Sequence, residues 1–282
     1  MRFITQNGNE AARIGQGTWF LGQNPGKRIA ECESLQAGIE AGMNLIDTAE
    51  MYGEGLAEEL VGEAIRPYDR EGLFLVSKVY PHNAGRKNIF ASCENSLRRM
   101  HTDYLDLYLL HWRGSVPFRE TVACMEELKA KGLIRAWGVS NLDTDDMEEL
   151  FSVPSGKNCV TDQVLYHLGS RGIEYDLLPW LQEREIPLMA YCPLAQAGSL
   201  RQGLLTAPAV RKIAEGRGIS PEQVLLAFLL SRPGVIPIPR TGRKEHAIQN
   251  AKAAEIQLSA EELATLDKAY PAPDHKVWLD TQ

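Results

Sequence analysis

The chain has 282 residues, 44% hydrophobic and 24% charged, ordinary globular proportions that exclude intrinsic disorder and fibrous repeats. With 30 Lys and Arg against 37 Asp and Glu, the net charge is −7, so the chain lacks the global basic field of a general nucleic-acid or anionic-membrane binder. Any bound anion must therefore be held by a local cluster. The five cysteines, at Cys32, Cys93, Cys124, Cys159 and Cys192, are odd in number and dispersed. That pattern argues against a disulfide framework or paired zinc ligands and for a reducing cytoplasm. Residues 1–9 have no signal-peptide core, and no run of about 18 apolar residues occurs, so a soluble, unexported protein is expected.

In chain order, a hairpin turning at Gly8-Asn9 precedes a first strand over Ile14 to Thr18. Further short apolar runs predict strands at Leu45 to Asp47, Leu73 to Lys78, Leu105 to Leu110 and Ile134 to Val139. Gln163 to Tyr166, Pro187 to Tyr191 and Val235 to Ile238 complete the set. They read as near-continuous apolar segments, as strands buried on both faces do. Between them lie helical periods such as Leu56, Leu60, Val61, Ala64 and Phe90, Cys93, Leu97, Met100. Ser220-Pro221-Glu222-Gln223 is a helix start with a capping Ser, a Pro at the first position and a Gln three residues past the cap, and Ser259 to Glu262 repeats the signal before a final helix.

Eight strand–helix units in about 250 residues predict an α/β protein with one closed (β/α)8 TIM barrel. The barrel would fill a single domain over 1–282, with an N-terminal β-hairpin and extra C-terminal helices. A doubly wound nucleotide-binding sheet is the rival, but Gly15-Gln16-Gly17-Thr18-Trp19-Phe20 lacks the third glycine of its fingerprint and leads into a loop.

Polar residues stand where the apolar runs end: Asp47, Lys78, His111, Ser140-Asn141 and Tyr191. In a barrel those positions share the C-terminal mouth, where active sites are built. Tyr52 follows Asp47 by five residues and can fold back over it. Phenol titrates near pH 10, too high for efficient proton transfer at neutrality, and a Lys78 ammonium held by Asp47 is expected to lower it. His111 can orient a carbonyl, so the chemistry suggested is protonation of a carbonyl oxygen. Taken singly, each residue also has an ordinary explanation as packing, an ion pair or a buried histidine. A Schiff-base aldolase using Lys78 is a lesser alternative, against which Asp47 and Tyr52 around a charged lysine argue, because imine formation needs a neutral amine.

At these residues the chain resembles the aldo-keto reductase superfamily. The resemblance rests on Leu45-Ile46-Asp47-Thr48-Ala49 with Tyr52-Gly53, Val76-Ser77-Lys78, Leu109-Leu110-His111-Trp112 and Gly138-Val139-Ser140-Asn141-Leu142. It continues through Gln163 with Tyr166, Ala190-Tyr191 before Pro193-Leu194, and Ile236-Pro237 leading into Arg240-Thr241. Such motifs imply a metal-independent TIM-barrel oxidoreductase that reduces aldehydes or ketones with NADPH. Tyr52 would be the general acid, Lys78 and Asp47 would tune it, and His111 would position the carbonyl. Within the family, Gln163 to Leu168 continuing to Trp180, Pro193 to Gly198, and Leu266 to Pro273 resemble a bacterial branch associated with methylglyoxal reduction.

The same resemblance places Ser140, Asn141 and Gln163 on the nicotinamide carboxamide and stacks Tyr191 on its ring. Gly17, Thr18, Trp19, Asp47, Pro193, Leu194 and Gln196 would also border the cofactor. Arg240, Thr241, Gly242 and Arg243, followed by Lys244, form a cationic helix start suited to a phosphate monoester, here the adenosine 2′-phosphate. The family commonly has Arg where this chain has His246 and Glu where it has Gln249; Gln249 and Asn250 would bond adenine. Arg holds phosphate bidentately, which His does not, so NADPH is favoured less strictly, with NADH a weaker alternative. Trp19, Tyr80 and Trp112, with Tyr52 and His111, would form an aromatic pocket for a small carbonyl substrate. Trp278 would either cover the mouth or pack on the barrel. A non-catalytic NADPH-binding regulatory or redox-sensing subunit is a further alternative. Nucleic-acid and membrane partners are not expected.

Overall fold

Eight parallel strands carry the predicted apolar runs: β1 (Gln16–Gly17), β2 (Leu45–Asp47), β3 (Phe74–Val79), β4 (Leu105–Leu110), β5 (Ile134–Ser140), β6 (Asp162–Leu165), β7 (Leu188–Tyr191) and β8 (Val235–Pro237). They pair in sequence order in a computed structural model that describes Phe3, Gly8 and residues 10–195 and 199–282. The first strand then meets the last. Gly15 donates to the Pro237 carbonyl at 2.9 Å and Gly17 to the Pro239 carbonyl at 3.1 Å, closing a (β/α)8 barrel.

That seam explains why the first and last strands are shorter than their apolar runs. Pro237 and Pro239 carry no N–H to return a bond, so the ladder is one-sided except at the single Gly17–Arg240 bridge. The backbones also approach closely: a side chain at Gly17 would meet the Ile238 carbonyl oxygen at 2.8 Å. Only glycine fits there.

Outside the strands lie α1 (Arg28–Glu40), α2 (Leu56–Ile65), α3 (Ile89–Met100), α4 (Phe118–Ala130), α5 (Thr144–Ser152) and α6 (Leu177–Glu183). Three helices, α7 (Ser199–Thr206), α8 (Pro208–Arg217) and α9 (Pro221–Leu230), separate β7 from β8, and α10 (Lys244–Lys252) and α11 (Ala260–Ala269) follow. Both predicted capping boxes form, Ser220 with Gln223 and Ser259 with Glu262. Sequence reasoning did not anticipate α7 and α8. The signal for α8 was present: Pro208 occupies its first turn and Gly218, at φ +66°, ends it.

Two apolar layers result. The outer one, between strands and helices, includes Ile46, Leu75, Tyr108, Leu110, Val139 and Val164, while the inner one fills the barrel with Leu45, Phe74, Val76, Leu107, Leu109, Met189 and Ile236. Phe3 stacks on Phe74 at 4.9 Å, and Ala11 donates to the Phe3 carbonyl. Gly8, in the predicted turn, takes φ +82°, while residues 4–7 and Asn9 lie outside the described residues.

After α11 the tail returns across the ends of two strand–helix units, β5–α5 and β6–α6. Arg171 donates to the Tyr270 carbonyl, and the Lys276 ammonium lies 3.2 to 3.5 Å from Asp143, Asp145 and Asp176. Trp278 is 92% exposed, so it neither covers the mouth nor packs on the barrel. All five cysteines are free thiols, as expected. Among the described residues, no helix is long and apolar enough to cross a membrane.

Candidate active site

Side chains alternate across a strand, so a residue two positions past an inward apolar side chain also points inward. This rule builds the site. Leu45 is followed by Asp47, Val76 by Lys78, Leu107 and Leu109 by His111, and Met189 by Tyr191, the earlier member of each pair lying in the inner layer. The C-terminal mouth of the barrel therefore receives the last inward residue of each strand. Tyr52 joins them from the turn after β2, where its ring packs with Ala49 and Ala57 and against Trp19 and Met51.

The Lys78 ammonium is fully buried and donates to three acceptors: Asp47 Oδ2 at 2.7 Å, the Thr48 carbonyl at 2.9 Å and Tyr52 Oη at 3.1 Å. An ammonium has three donors, and all are used. Because Tyr52 Oη accepts from Lys78, the phenol's own proton is left for another acceptor. The second Asp47 oxygen accepts from Gln163 Nε2 at 2.7 Å, linking β2 to β6 across the barrel.

Burial pushes the Tyr52 phenol well above its ordinary range, and the Asp47 carboxylate adds to the shift. This corrects the sequence expectation that Lys78 would lower it. Desolvation of the buried phenolate outweighs one neighbouring ammonium whose charge Asp47 already balances. Burial also raises Asp47 and lowers Lys78, with their mutual attraction acting against both shifts. His111 is held well below its usual value by burial and then by Lys78, so its imidazole is neutral. Its ring stands edge-on to Tyr52 at 5.7 Å, and its Nδ1 is buried with no hydrogen-bond partner.

Aromatic rings continue outward on both sides of Tyr52. Trp19 lies 6.3 Å from it, while His111, Trp112 and Tyr80 follow one another at 4.9 and 5.8 Å. Trp19, Tyr80 and Trp112, predicted as a pocket, are thus brought to one rim. Glu50, which sequence reasoning missed, accepts from the Tyr80 N–H at 2.7 Å and from Asn83 at 3.2 Å, pinning the loop after β3 to the Tyr52 loop. Its only signal was its place between Asp47 and Tyr52.

Predicted cofactor residues from β5, β6 and β7 adjoin the proton-handling residues at the mouth, Gln163 through Asp47 and Asn141 through the His111 carbonyl. Tyr191 donates to Asn141 Oδ1 at 2.8 Å, and Asn141, in a left-handed conformation at φ +59°, donates to the His111 carbonyl and to Ser140 Oγ. Ser140 itself donates to the Gln163 carbonyl. Pro193 and Leu194 are buried just past β7, and Thr18 is buried past β1 with its hydroxyl on the Asp47 carbonyl. Gln196 lies outside the described residues. Arg240, Arg243 and Lys244 are exposed and, among the described residues, form no ion pair, while the N-terminus of α10 has no side-chain cap. Thr241 bonds the Arg243 N–H beside Gly242. His246 and Gln249 are on the exposed face of α10, and Asn250 is buried.

Unpaired cations at free helix N–H groups suit a phosphate monoester, and the amides beside Tyr191 suit a ring bearing a carboxamide. The residues present therefore fit a phosphorylated nicotinamide dinucleotide.

Comparison with known proteins agrees with this arrangement. The family model described as "Aldo/keto reductase family" matches residues 13–271. A methylglyoxal reductase of Escherichia coli (strain K12) is 59% identical over 267 residues, covering 95% of this chain and 94% of its own. A glyoxal reductase of Bacillus subtilis (strain 168) is 35% identical, with 94% and 85% covered. The crystal structure of an aldo/keto reductase from Klebsiella pneumoniae in complex with NADP and acetate superposes with a TM-score of 0.96 at 53% identity, covering 100% of this chain and 99% of that one. With its closed barrel, its Asp47–Lys78–Tyr52 contact and a family match across nearly its whole length, the chain belongs to the aldo/keto reductase family.

Proposed function

We propose that this chain is an NADPH-dependent reductase of small aldehydes and ketones, 2-oxoaldehydes such as methylglyoxal among them, working in the cytoplasm as one domain over 1–282. The observation that carries the reading is the Lys78 ammonium spent on Asp47, Thr48 and Tyr52. It presents a protonated phenol to the mouth. The Schiff-base alternative is disfavoured by the same contacts, because imine formation needs a neutral amine with its lone pair turned to the carbonyl.

In this mechanism Tyr52 gives its proton to the carbonyl oxygen as the C=O bond is reduced to an alcohol. The bound nicotinamide supplies the hydride that the carbonyl carbon accepts. Neutral His111 donates a hydrogen bond to the same oxygen and fixes its approach to Tyr52. Lys78 stabilises the phenolate left behind, and Asp47 balances the ammonium. Trp19, Tyr80 and Trp112 exclude water around the substrate. Ser140, Asn141, Gln163 and Tyr191 orient the nicotinamide end, while Arg240, Thr241, Gly242, Arg243 and Lys244 hold the phosphate end.

The reading is tested by following NADPH and NADH oxidation in parallel across methylglyoxal and a panel of aldehydes and ketones. Turnover with NADPH is expected; tight nucleotide binding with no turnover anywhere would instead make the chain a binding subunit. Arg243→Ala is expected to raise KM for NADPH roughly ten- to hundredfold and leave KM for NADH unchanged, since a charge-assisted phosphate contact contributes about 1.5–3 kcal/mol. A pH profile checks the proton assignments. With Tyr52 held above its ordinary value it stays protonated, and with His111 held below its own it stays neutral, so kcat/KM for reduction at saturating NADPH should show no inflection at the ordinary phenol or imidazole value. An inflection near 6.5, the usual imidazole value, would show that His111 titrates.

A further inference from the structure

Tyr52 and Lys78 meet inside the barrel, and the segments that carry them are tied a second time on the outside. Ser77 precedes Lys78 and, by alternation, turns its hydroxyl the other way, between Leu75 and Val79 of the outer layer. That hydroxyl donates to Glu58 Oε1 at 2.6 Å, and Arg99 Nε donates to Glu58 Oε2 at 2.6 Å. Both oxygens of this fully buried carboxylate are therefore engaged, and α2, β3 and α3 meet on it. Arg99 completes the circuit. A side chain at Gly55 would meet its Cδ and Nε at 2.6 Å, so Arg99 lies directly against the end of the turn, Tyr52–Gly55, that carries the proton donor.

That turn needs holding. Its last three residues, Gly53, Glu54 and Gly55, take φ +59°, +55° and +98° in succession. A run of left-handed backbone that includes a glutamate persists only where its surroundings enforce it. Ser77, Glu58 and Arg99 reach from the residue before Lys78 to the third residue after Tyr52, and so brace the two strand ends whose side chains meet at 3.1 Å. We propose that Glu58 is a positioning residue that sets the Tyr52 hydroxyl on the Lys78 ammonium. It acts through Ser77 and Arg99 and not on the reacting atoms. This inference rests on the reductase reading above, in which Tyr52 gives the proton.

The test follows methylglyoxal reduction by wild type, Ser77→Ala, Glu58→Ala and Glu58→Gln in light and heavy water, with NADPH saturating and at a temperature where each is folded. Ser77→Ala cuts the link to β3 but leaves the Glu58–Arg99 pair, so its thermal midpoint should change little. Glu58→Ala removes the whole brace. Their kcat should fall, by about tenfold and by up to roughly a hundredfold respectively, because small misplacements from remote changes cost that much. KM for methylglyoxal and affinity for NADPH should hold, since the loss lies in the transition state. The solvent deuterium isotope effect on kcat should rise in both, as proton transfer becomes the slower event. Glu58→Gln keeps both contacts, its oxygen accepting from Arg99 and its NH2 donating to the Ser77 hydroxyl, and should restore most of kcat. If kcat falls with no change in isotope effect, or only the thermal midpoint moves, Glu58 is a structural anchor and the proposal fails. A loss in Glu58→Gln as large as in Glu58→Ala would also overturn it, because charge and not position would then matter. Ser77→Ala decides the matter if Glu58→Ala does not fold. Absence of wild-type turnover with methylglyoxal and the carbonyl panel would overturn the reductase reading itself, a failure visible before any variant is compared.

Discussion

Tyr52→Phe is expected to lower kcat for methylglyoxal reduction by roughly two to four orders of magnitude, the usual contribution of a positioned general acid. The fold should be unaffected. The phenyl ring still fills the space among Ala49, Ala57, Trp19 and Met51, and the lost oxygen leaves the Lys78 ammonium with two of its three acceptors. Nucleotide affinity should also persist, because the Tyr52 hydroxyl bonds Lys78 and none of Ser140, Asn141, Gln163, Tyr191 or residues 240–244. Steady-state kinetics alongside NADPH titration by fluorescence separates these effects. A variant that retains wild-type kcat would show that the proton comes from elsewhere, and one that loses NADPH binding would show that Tyr52 supports the cofactor instead.

Lys78→Met should damage both stability and activity. Lys78 is fully buried and Asp47 is 2% exposed, so removing the ammonium strands a carboxylate inside the barrel. Breaking one partner of a buried pair costs about 3–5 kcal/mol, a large fraction of the stability of an ordinary domain. Adding Asp47→Asn removes the stranded charge and keeps an acceptor for Gln163. The double variant is therefore expected to regain most of the lost stability while staying inactive, since no ammonium remains to stabilise the phenolate. Denaturant unfolding of the single and double variants measures the recovery. If the double variant is no more stable than Lys78→Met, the ion pair is not what the single substitution disrupts.

These two experiments probe residues that were legible in the sequence, for a physical reason. Barrel strands are buried on both faces, so their polar ends stand out, and alternation places Asp47, Lys78 and His111 on the same inner surface as Leu45, Val76 and Leu109. What was not legible depends on contacts between distant segments. The upward shift of Tyr52 follows from the packing of Trp19 and Ala57 around it, which no local pattern announces. Glu58 gives a second example. In Ala57-Glu58-Glu59-Leu60 it reads as an exposed helical residue, yet it is fully buried, accepting from Ser77 and Arg99 at 2.6 Å each, one residue away from Lys78 along β3. The one-sided seam at Gly15 and Gly17 was hidden likewise, because it needs Pro237 and Pro239 from the other end of the chain.

The link between Asp47 and Gln163 also bears on how the molecule assembles. The residues that handle the proton come from β2, β3 and β4 and the turn after β2, all within the first 111 residues, and they can meet once those neighbouring strands pair. Asp47 Oδ1 waits for a partner 116 residues away. The seam at β1 and β8 waits longer still. Contacts this distant in sequence carry the largest loop-closure entropy and form late. A partly folded chain can thus hold the proton relay in outline without a complete nicotinamide bed, so competence for hydride transfer arrives with the last steps of folding and serves as a readout of barrel closure.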